Sequence, residues 1–190
     1  MSVLADKVVA FYGGSFDPPH VAHVLVAAWA KACSDVDTVL VVPTYAHAFG
    51  KRSSDYAHRL RMCEMAMADL RGVEVSDIER QIQKGRTFDV IDALSERHPS
   101  ARFRLLIGSD ILKDAARWYR WDELVERAPP MLIGREGYPV DATITLPGVS
   151  STEVRRRVRS GESTEGLISP AVAAYAREHG LYEDEDDDDD

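Results

Sequence analysis

The chain has 190 residues, 45% apolar and 29% charged, the balance of an ordinary soluble globular protein with a core of its own. Its net charge of −9 belongs to one segment: the last eight residues, Glu183 to Asp190, are all acidic, and without them the charge is −1. No basic excess therefore points to a nucleic acid, and no apolar run approaches the ~20 residues that cross a bilayer.

The N-terminus lacks the charged start and long apolar segment of a signal peptide. "KVVAFYGG" (7–14) reads as a buried strand closed by glycines, and residues 19–33 read as a helix. "DTVLVVPT" (37–44) is a second buried strand. "SSDYAHRLRMCEMAMADL" (53–70) is helical, with Leu60, Cys63, Met67 and Leu70 on one face and Ser53 or Asp55 as cap. "GVEVSDIE" (72–79) gives a short third strand, and "TFDVIDALSERHP" (87–99) a helix that ends before Pro99. "ARFRLLIGSD" (101–110) is a strand running into a turn. A short helix, "RWDELVERAP" (120–129), precedes the strand "PMLIGRE" (130–136), and "ATITLPGV" (142–149) reads as a last strand. "SSTEVRRRVRSG" (150–161) opens a helix in capping-box style, and "SPAVAAYAREHGLY" (169–182) is the final one. There is no internal repeat. The isolated Cys33 and Cys63 build neither a disulfide framework nor a zinc site, and they suit a reducing cytoplasm. A single domain over residues 1–182, followed by a solvated, disordered acidic tail over 183–190, is the expected organisation.

Strands alternating with helices predict an α/β fold: a Rossmann-like open parallel sheet with helices on both faces. Ligands of such sheets bind beyond the carboxyl ends of the strands. That rule selects residues 13–23, 44–52, 108–110 and 135, distant in sequence and convergent in space.

The first of these stretches, "GGSFDPPHVAH" (13–23), places Gly13 and Gly14 where a backbone can approach a ligand closely. Asp17 suits the cap and the prolines suit a first helical turn. His20 and His23, at i and i+3, share a face of that turn. Free backbone N–H groups and the helix dipole make such a start a phosphate site, to which imidazole donors add hydrogen bonds. The stretch is neither a Walker loop nor a dinucleotide fingerprint. A purely structural histidine cap, or a metal pair lacking a third ligand, is the alternative reading. The second stretch, "GVSSTEVRRRV" (148–158), presents Ser151 and Thr152 at another helix start with Arg155 a turn further in. By itself it reads equally as a cap beside a solvated arginine face. Two helix-start anion sites in one chain favour a polyphosphate.

Together these stretches resemble the nucleotidyltransferase superfamily marked by Gly-x-Phe-Asp-Pro-x-His-x-Gly-His and Ile-Ser-Ser-Thr-x-Ile-Arg. Within it the chain is similar to bacterial nicotinate-nucleotide adenylyltransferases, through "IGSD" (107–110), "RWYRWDEL" (117–124), "IGREGYP" (133–139) and "LISPAVAAYAREHGLY" (167–182). The resemblance spans nearly all of the chain before the tail. It implies the nucleotidyltransferase fold and transfer of the adenylyl group of ATP to nicotinate mononucleotide, forming deamido-NAD and pyrophosphate. The substrates are then small molecules, with neither nucleic acid nor membrane as partner and a homo-oligomer left open. Magnesium would enter on the ATP phosphates, with no metal site made by the protein. By the same resemblance His20, His23, Lys51 and Arg155 would be catalytic. Gly13, Gly14, Ser15, Phe16, Gly108, Asp110, Ser151 and Thr152 would bind ATP, and Thr87, Trp118, Tyr119 and Arg135 the mononucleotide. The sequence departs from the family pattern at Ala22, at "YAHAFGKR" (45–52), where His47 and Lys51 stand in for a Pro-Pro-His-Lys loop, and at "GRTFDV" (85–90), which replaces Ser-Tyr-Thr. The last change leaves open an acceptor such as nicotinamide mononucleotide. An inactive nucleotide-binding sensor is the reading from another class.

Overall fold

The structure, a computed structural model, describes residues 4–45, 53–135, 142, 144–146 and 148–183. Six strands form one parallel sheet in the order β3-β2-β1-β4-β5-β6: β1 (Val8–Gly14), β2 (Thr38–Pro43), β3 (Val73–Val75), β4 (Arg102–Gly108), β5 (Pro130–Arg135) and β6 (Thr145–Leu146). The order reverses between β1 and β4, whose registered pairs run from Val8 with Arg102 to Phe11 with Leu105. This is the doubly wound topology that the alternation of strands and helices predicted, and its switch point lies at the ends of β1 and β4.

The apolar runs of β1 and β2 are continuous because both of their faces are covered. Val8, Ala10 and Tyr12 join Val39 and Val41 in one core, against helix α1 (Val21–Cys33) and Cys63 and Met67 of α2 (Tyr56–Met67). Val9 and Phe11 join Leu40 and Val42 in the other, against α4 (Thr87–Arg97) and α5 (Trp121–Arg127). A third cluster holds Met62 of α2 against Val154 of α6 (Ser151–Arg159), Val172 of α7 (Pro170–Glu178) and Tyr182. It clamps the C-terminal segment onto the sheet layers.

The structure corrects several local expectations. The N-cap of α1 is His20, not Asp17, and its helical residues begin at Val21. The buried face of α2 carries Arg59, Met62, Cys63 and Met67, so Leu60 and Leu70 are not its centre. A short helix α3 (Ile78–Ile82) follows β3, and a 3₁₀ segment (Ser109–Arg117) follows β4. Neither was expected. The opening of α6 is capped as expected, Ser150 accepting from the Glu153 N–H at 3.2 Å. Among the described residues no helix is long and apolar enough to cross a membrane. Apart from Glu183, the tail lies outside the described residues.

Candidate active site

A cleft of about 750 Å³ opens over the carboxyl ends of β1 and β4. Gly13, Gly14 and Ser15 form its floor, and His20 and His23 stand beside them at the start of α1. Ser150 and Ser151 enter from the start of α6, and Gly108 and Asp110 from the end of β4. Thr87, Trp118 and Tyr119 line another part. Residues 13 and 151 thus meet in one cavity although most of the chain separates them.

Both floor glycines lie close against the protein's own rings. A Cβ on Gly13 would lie 2.9 Å from Cε1 of Phe11, and one on Gly14 3.2 Å from the ring of Phe16. Phe16 itself does not line the cleft. Its backbone is left-handed, with φ of +50°, a conformation costly for a bulky residue. Burial of its ring edge-on to Tyr12, at 5.4 Å between centroids, and to His23, at 4.8 Å, offsets that cost. Phe16 therefore acts as the backing of His23.

The two imidazoles stack, with centroids 3.6 Å apart and planes 19° from parallel. Nδ1 of His23 accepts the backbone N–H of His20 at 3.1 Å. A neutral ring that accepts at Nδ1 carries its proton on Nε2, so this cap selects the donor tautomer. The backbone N–H groups of His20, Val21 and His23 are taken by His23 Nδ1 and by the Leu167 and His20 carbonyls, so at this helix start the imidazole N–H joins the positive end of the helix dipole in facing an anion.

The loop between β1 and α1 is held from behind by residues far away in sequence. Arg59, almost wholly buried, donates to the Ser15 carbonyl at 2.8 Å and to the Ser54 carbonyl at 2.9 Å. Arg155 donates to the Asp17 carbonyl at 2.8 Å, and Ser151 Oγ to the Pro18 carbonyl at 2.9 Å. The buried Asp17 carboxylate accepts from the Ser54 N–H at 2.9 Å and from the Tyr182 hydroxyl at 2.7 Å. Burial, and next the Asp17 charge, push the Tyr182 hydroxyl far above its ordinary range, so it stays a donor.

Arg155 therefore lies beneath the loop, 5% exposed, and does not line the cleft. Thr152 is exposed, lies outside the lining and sits 3.4 Å from an Arg155 nitrogen. Lys51 and His47 lie outside the described residues; of Arg135 only the backbone is placed, at the end of β5 opposite Leu146. Thr44, in the stretch 44–52 selected by the carboxyl-end rule, lines the cleft, as do residues that the sequence did not single out, Glu79, Arg86 and Asp114 among them. Thr44 ties the ends of β1 and β2 together, its N–H donating to the Gly14 carbonyl at 2.9 Å. Glu79 is buried and accepts the Tyr45 N–H at 2.6 Å; burial raises its carboxyl above the ordinary value. Arg86 carried one legible signal, its place directly before Thr87 at a helix start. Among the described residues, no group of three or more His, Cys, Asp or Glu is placed to hold a metal ion.

Residues 11–157 match the cytidylyltransferase-like family. The match begins inside β1 and ends inside α6, so it takes in both helix starts that face the cleft, and the class is that of a nucleotidyltransferase. The protein named probable nicotinate-nucleotide adenylyltransferase of Anaeromyxobacter sp. (strain K) is 42% identical over 181 residues, covering 93% of this chain and 97% of that relative. Its namesake in Myxococcus xanthus (strain DK1622) is 41% identical over 178 residues, covering 92% and 94%. The solved nicotinic acid mononucleotide adenylyltransferase of Plasmodium falciparum in complex with NaAD superposes with a TM-score of 0.81 at 22% identity, over 93% of this chain and 97% of that one, a likeness of fold. The chain belongs to the nicotinate-nucleotide adenylyltransferase branch of the cytidylyltransferase-like family.

Proposed function

We propose that this protein transfers the adenylyl group of ATP to nicotinate mononucleotide, forming deamido-NAD and releasing pyrophosphate, through one nucleotidyltransferase domain spanning residues 1–182. The observation that carries the reading is the convergence of two helix starts, a stacked histidine pair and an aromatic pair on one cleft of about 750 Å³. That volume falls within the ~300–1,000 Å³ of small-molecule and cofactor pockets.

An oxygen of the mononucleotide phosphate attacks the α-phosphorus of ATP. A P–O bond forms there as the bond to the β-phosphate bridging oxygen breaks, and pyrophosphate departs with that electron pair. The second ionisation of a phosphate monoester lies near pH 6. The nucleophile is therefore charged at neutral pH and needs no general base. What the protein supplies is in-line placement and compensation of the charge that builds on the triphosphate. His20 and His23 donate to phosphate oxygens from the start of α1; the backbone N–H groups at the start of α6, that of Ser151 among them, take the far phosphates, since the Ser151 hydroxyl is spent on the Pro18 carbonyl. Gly13, Gly14 and Ser15 let the chain run close beneath them, and Gly108 and Asp110 take the nucleoside. Thr87, Trp118 and Tyr119 receive the mononucleotide base; the family resemblance assigns Arg135 to the mononucleotide and Lys51 to the phosphates. Arg155 is a positioning residue for the loop in this mechanism, with Thr152 beside it and Phe16 seating His23. ATP would enter as its magnesium complex, and the ion, arriving with the substrate, would offset part of the triphosphate charge. A cytoplasmic location goes with the reading, supported by two free cysteines.

Pyrophosphate release with ATP and nicotinate mononucleotide, compared with nicotinamide mononucleotide, tests this directly. Release with the first, and weaker release with the second, is expected. No release with either overturns the reading.

A further inference from the structure

We propose that Arg86 sets the preference for a carboxylated over an uncharged acceptor ring. The inference rests on the acceptor reading above. The charged side chains that line the cleft are Glu79, Arg86, Asp110, Asp114 and Arg117. Asp110, Asp114 and Arg117 lie on the 3₁₀ segment after β4, and Arg117 pairs with Asp114 at 3.4 Å. Glu79 is engaged by the Tyr45 N–H. Arg86 differs from all of these. Only its Nε is used, donating to Asp89 at 2.9 Å, and among the described residues neither terminal nitrogen meets a hydrogen-bonding partner.

The guanidinium is nevertheless held in place. It lies over the Tyr119 ring, 4.1 Å from the centroid, and Tyr119 meets Phe88 edge-on at 6.0 Å. Phe88 is buried and is flanked by the guanidinium groups of Arg120, at 4.0 Å, and Arg127, at 4.8 Å. This ladder of alternating rings and cations sets Arg86 at the edge of the aromatic pair. Adenine carries no charge, so of the two bases that this reaction joins only a carboxylated ring gains from a cation there.

A carboxylate presents two acceptors to the two free arms of the fork. A carboxamide presents one acceptor and an NH₂ group that faces N–H donors, so Arg86 both attracts the acid and disfavours the amide. Asp89 takes up part of the charge, and the side chain is 44% exposed, so water screens the rest. The discrimination attributable to Arg86 is therefore about tenfold rather than thousandfold.

The test is kcat/KM for nicotinate and nicotinamide mononucleotides at saturating ATP in the native protein, Arg86→Gln and Arg86→Lys. Thermal melting of each variant accompanies the assay. The expected result is that the acid-to-amide ratio falls about tenfold in Arg86→Gln and is largely retained in Arg86→Lys. A ratio unchanged in Arg86→Gln while the native protein still favours the acid overturns this inference and leaves the acceptor reading standing. A native protein inactive with nicotinate mononucleotide overturns the acceptor reading, and the role of Arg86 with it.

Discussion

Tyr182→Phe removes a single oxygen, yet it is expected to weaken both the fold and the catalytic step. The hydroxyl sits 2.7 Å from Asp17 Oδ1 in a buried contact between residues 165 positions apart. The ring itself, 1% exposed, packs among Met62, Val154 and Val172. Phenylalanine keeps that packing and loses only the hydrogen bond. Bonds to charged acceptors contribute about 1.5–3 kcal/mol, and the carboxylate retains one partner, the Ser54 N–H. A loss of about 2 kcal/mol follows, which lowers Tm by about 4–8 °C in a domain of this size.

The same contact restrains the loop that carries His20, so kcat with ATP should fall while the melting transition stays cooperative. The pH dependence supplies a second readout. The Tyr182 hydroxyl ionises more readily in the unfolded chain, near the ordinary value of 10, than in the folded one. Its contribution is complete below pH 10 and is lost as pH rises toward the folded value. The native protein should therefore lose stability above pH 10, and Tyr182→Phe should lose less. Scanning calorimetry from pH 7 to 11 and a pyrophosphate-release assay measure both effects. A variant with unchanged Tm and unchanged kcat would refute the idea that this clasp holds the loop.

Three further outcomes follow from the geometry. His23→Ala, which removes a donor and the cap on the His20 N–H, should lower kcat by about 10²-fold or more in steady-state assays, with a loss under threefold counting against the donor role. Gly134→Ala would put a Cβ 2.6 Å from Thr145 Oγ1 and 3.0 Å from the Ile144 carbonyl, forcing β5 and β6 apart. Urea unfolding should register a cost of about 1–3 kcal/mol, partly rescued by adding Thr145→Ala; equal stability would show that β6 yields freely. Burial raises the Glu79 carboxyl above its ordinary 4.5, so its contribution is present below that pH and lost as pH rises through the folded value. Relative to the native protein, Glu79→Gln should therefore be more stable at pH 7 than at pH 4 by thermal melting, and a constant difference would exclude burial as the cause.

What the sequence revealed and what it hid divide along a physical line. Continuous apolar runs such as "VVAF" and "VLVV" announce strands covered on both faces, and the carboxyl-end rule then brings residues 13–23 and 108–110 to one rim without knowledge of any contact. Contacts across the fold leave no such periodic trace. Arg59 is absent from the apolar face that the sequence marks in 53–70; it is buried, and its guanidinium serves two loop carbonyls. Asp17 had the chemistry of a cap but is consumed by Ser54 and Tyr182, which leaves the cap to His20. The five-residue α3 and the 3₁₀ segment are too short, or of the wrong period, to show a helical stripe.

The hidden contacts also explain why a glycine-rich turn before a helix does not by itself make an anion site. A carbonyl oxygen near a phosphate repels it, and a mobile loop offers carbonyls as readily as N–H groups. Here the carbonyls of Ser15, Asp17 and Pro18 are each taken, by Arg59, Arg155 and Ser151. Two of those partners are cations and one belongs to the opposing helix start. These three acceptors are thus neutralised before substrate arrives, which limits the reorganisation of the loop in the reaction. On this account Arg155 contributes to catalysis from beneath the loop. Arg155→Lys retains the charge but not the planar two-nitrogen reach that spans Asp17 and Thr152. It should raise KM for ATP and lower kcat together, whereas a residue that met only the departing pyrophosphate would alter kcat with little change in ATP binding.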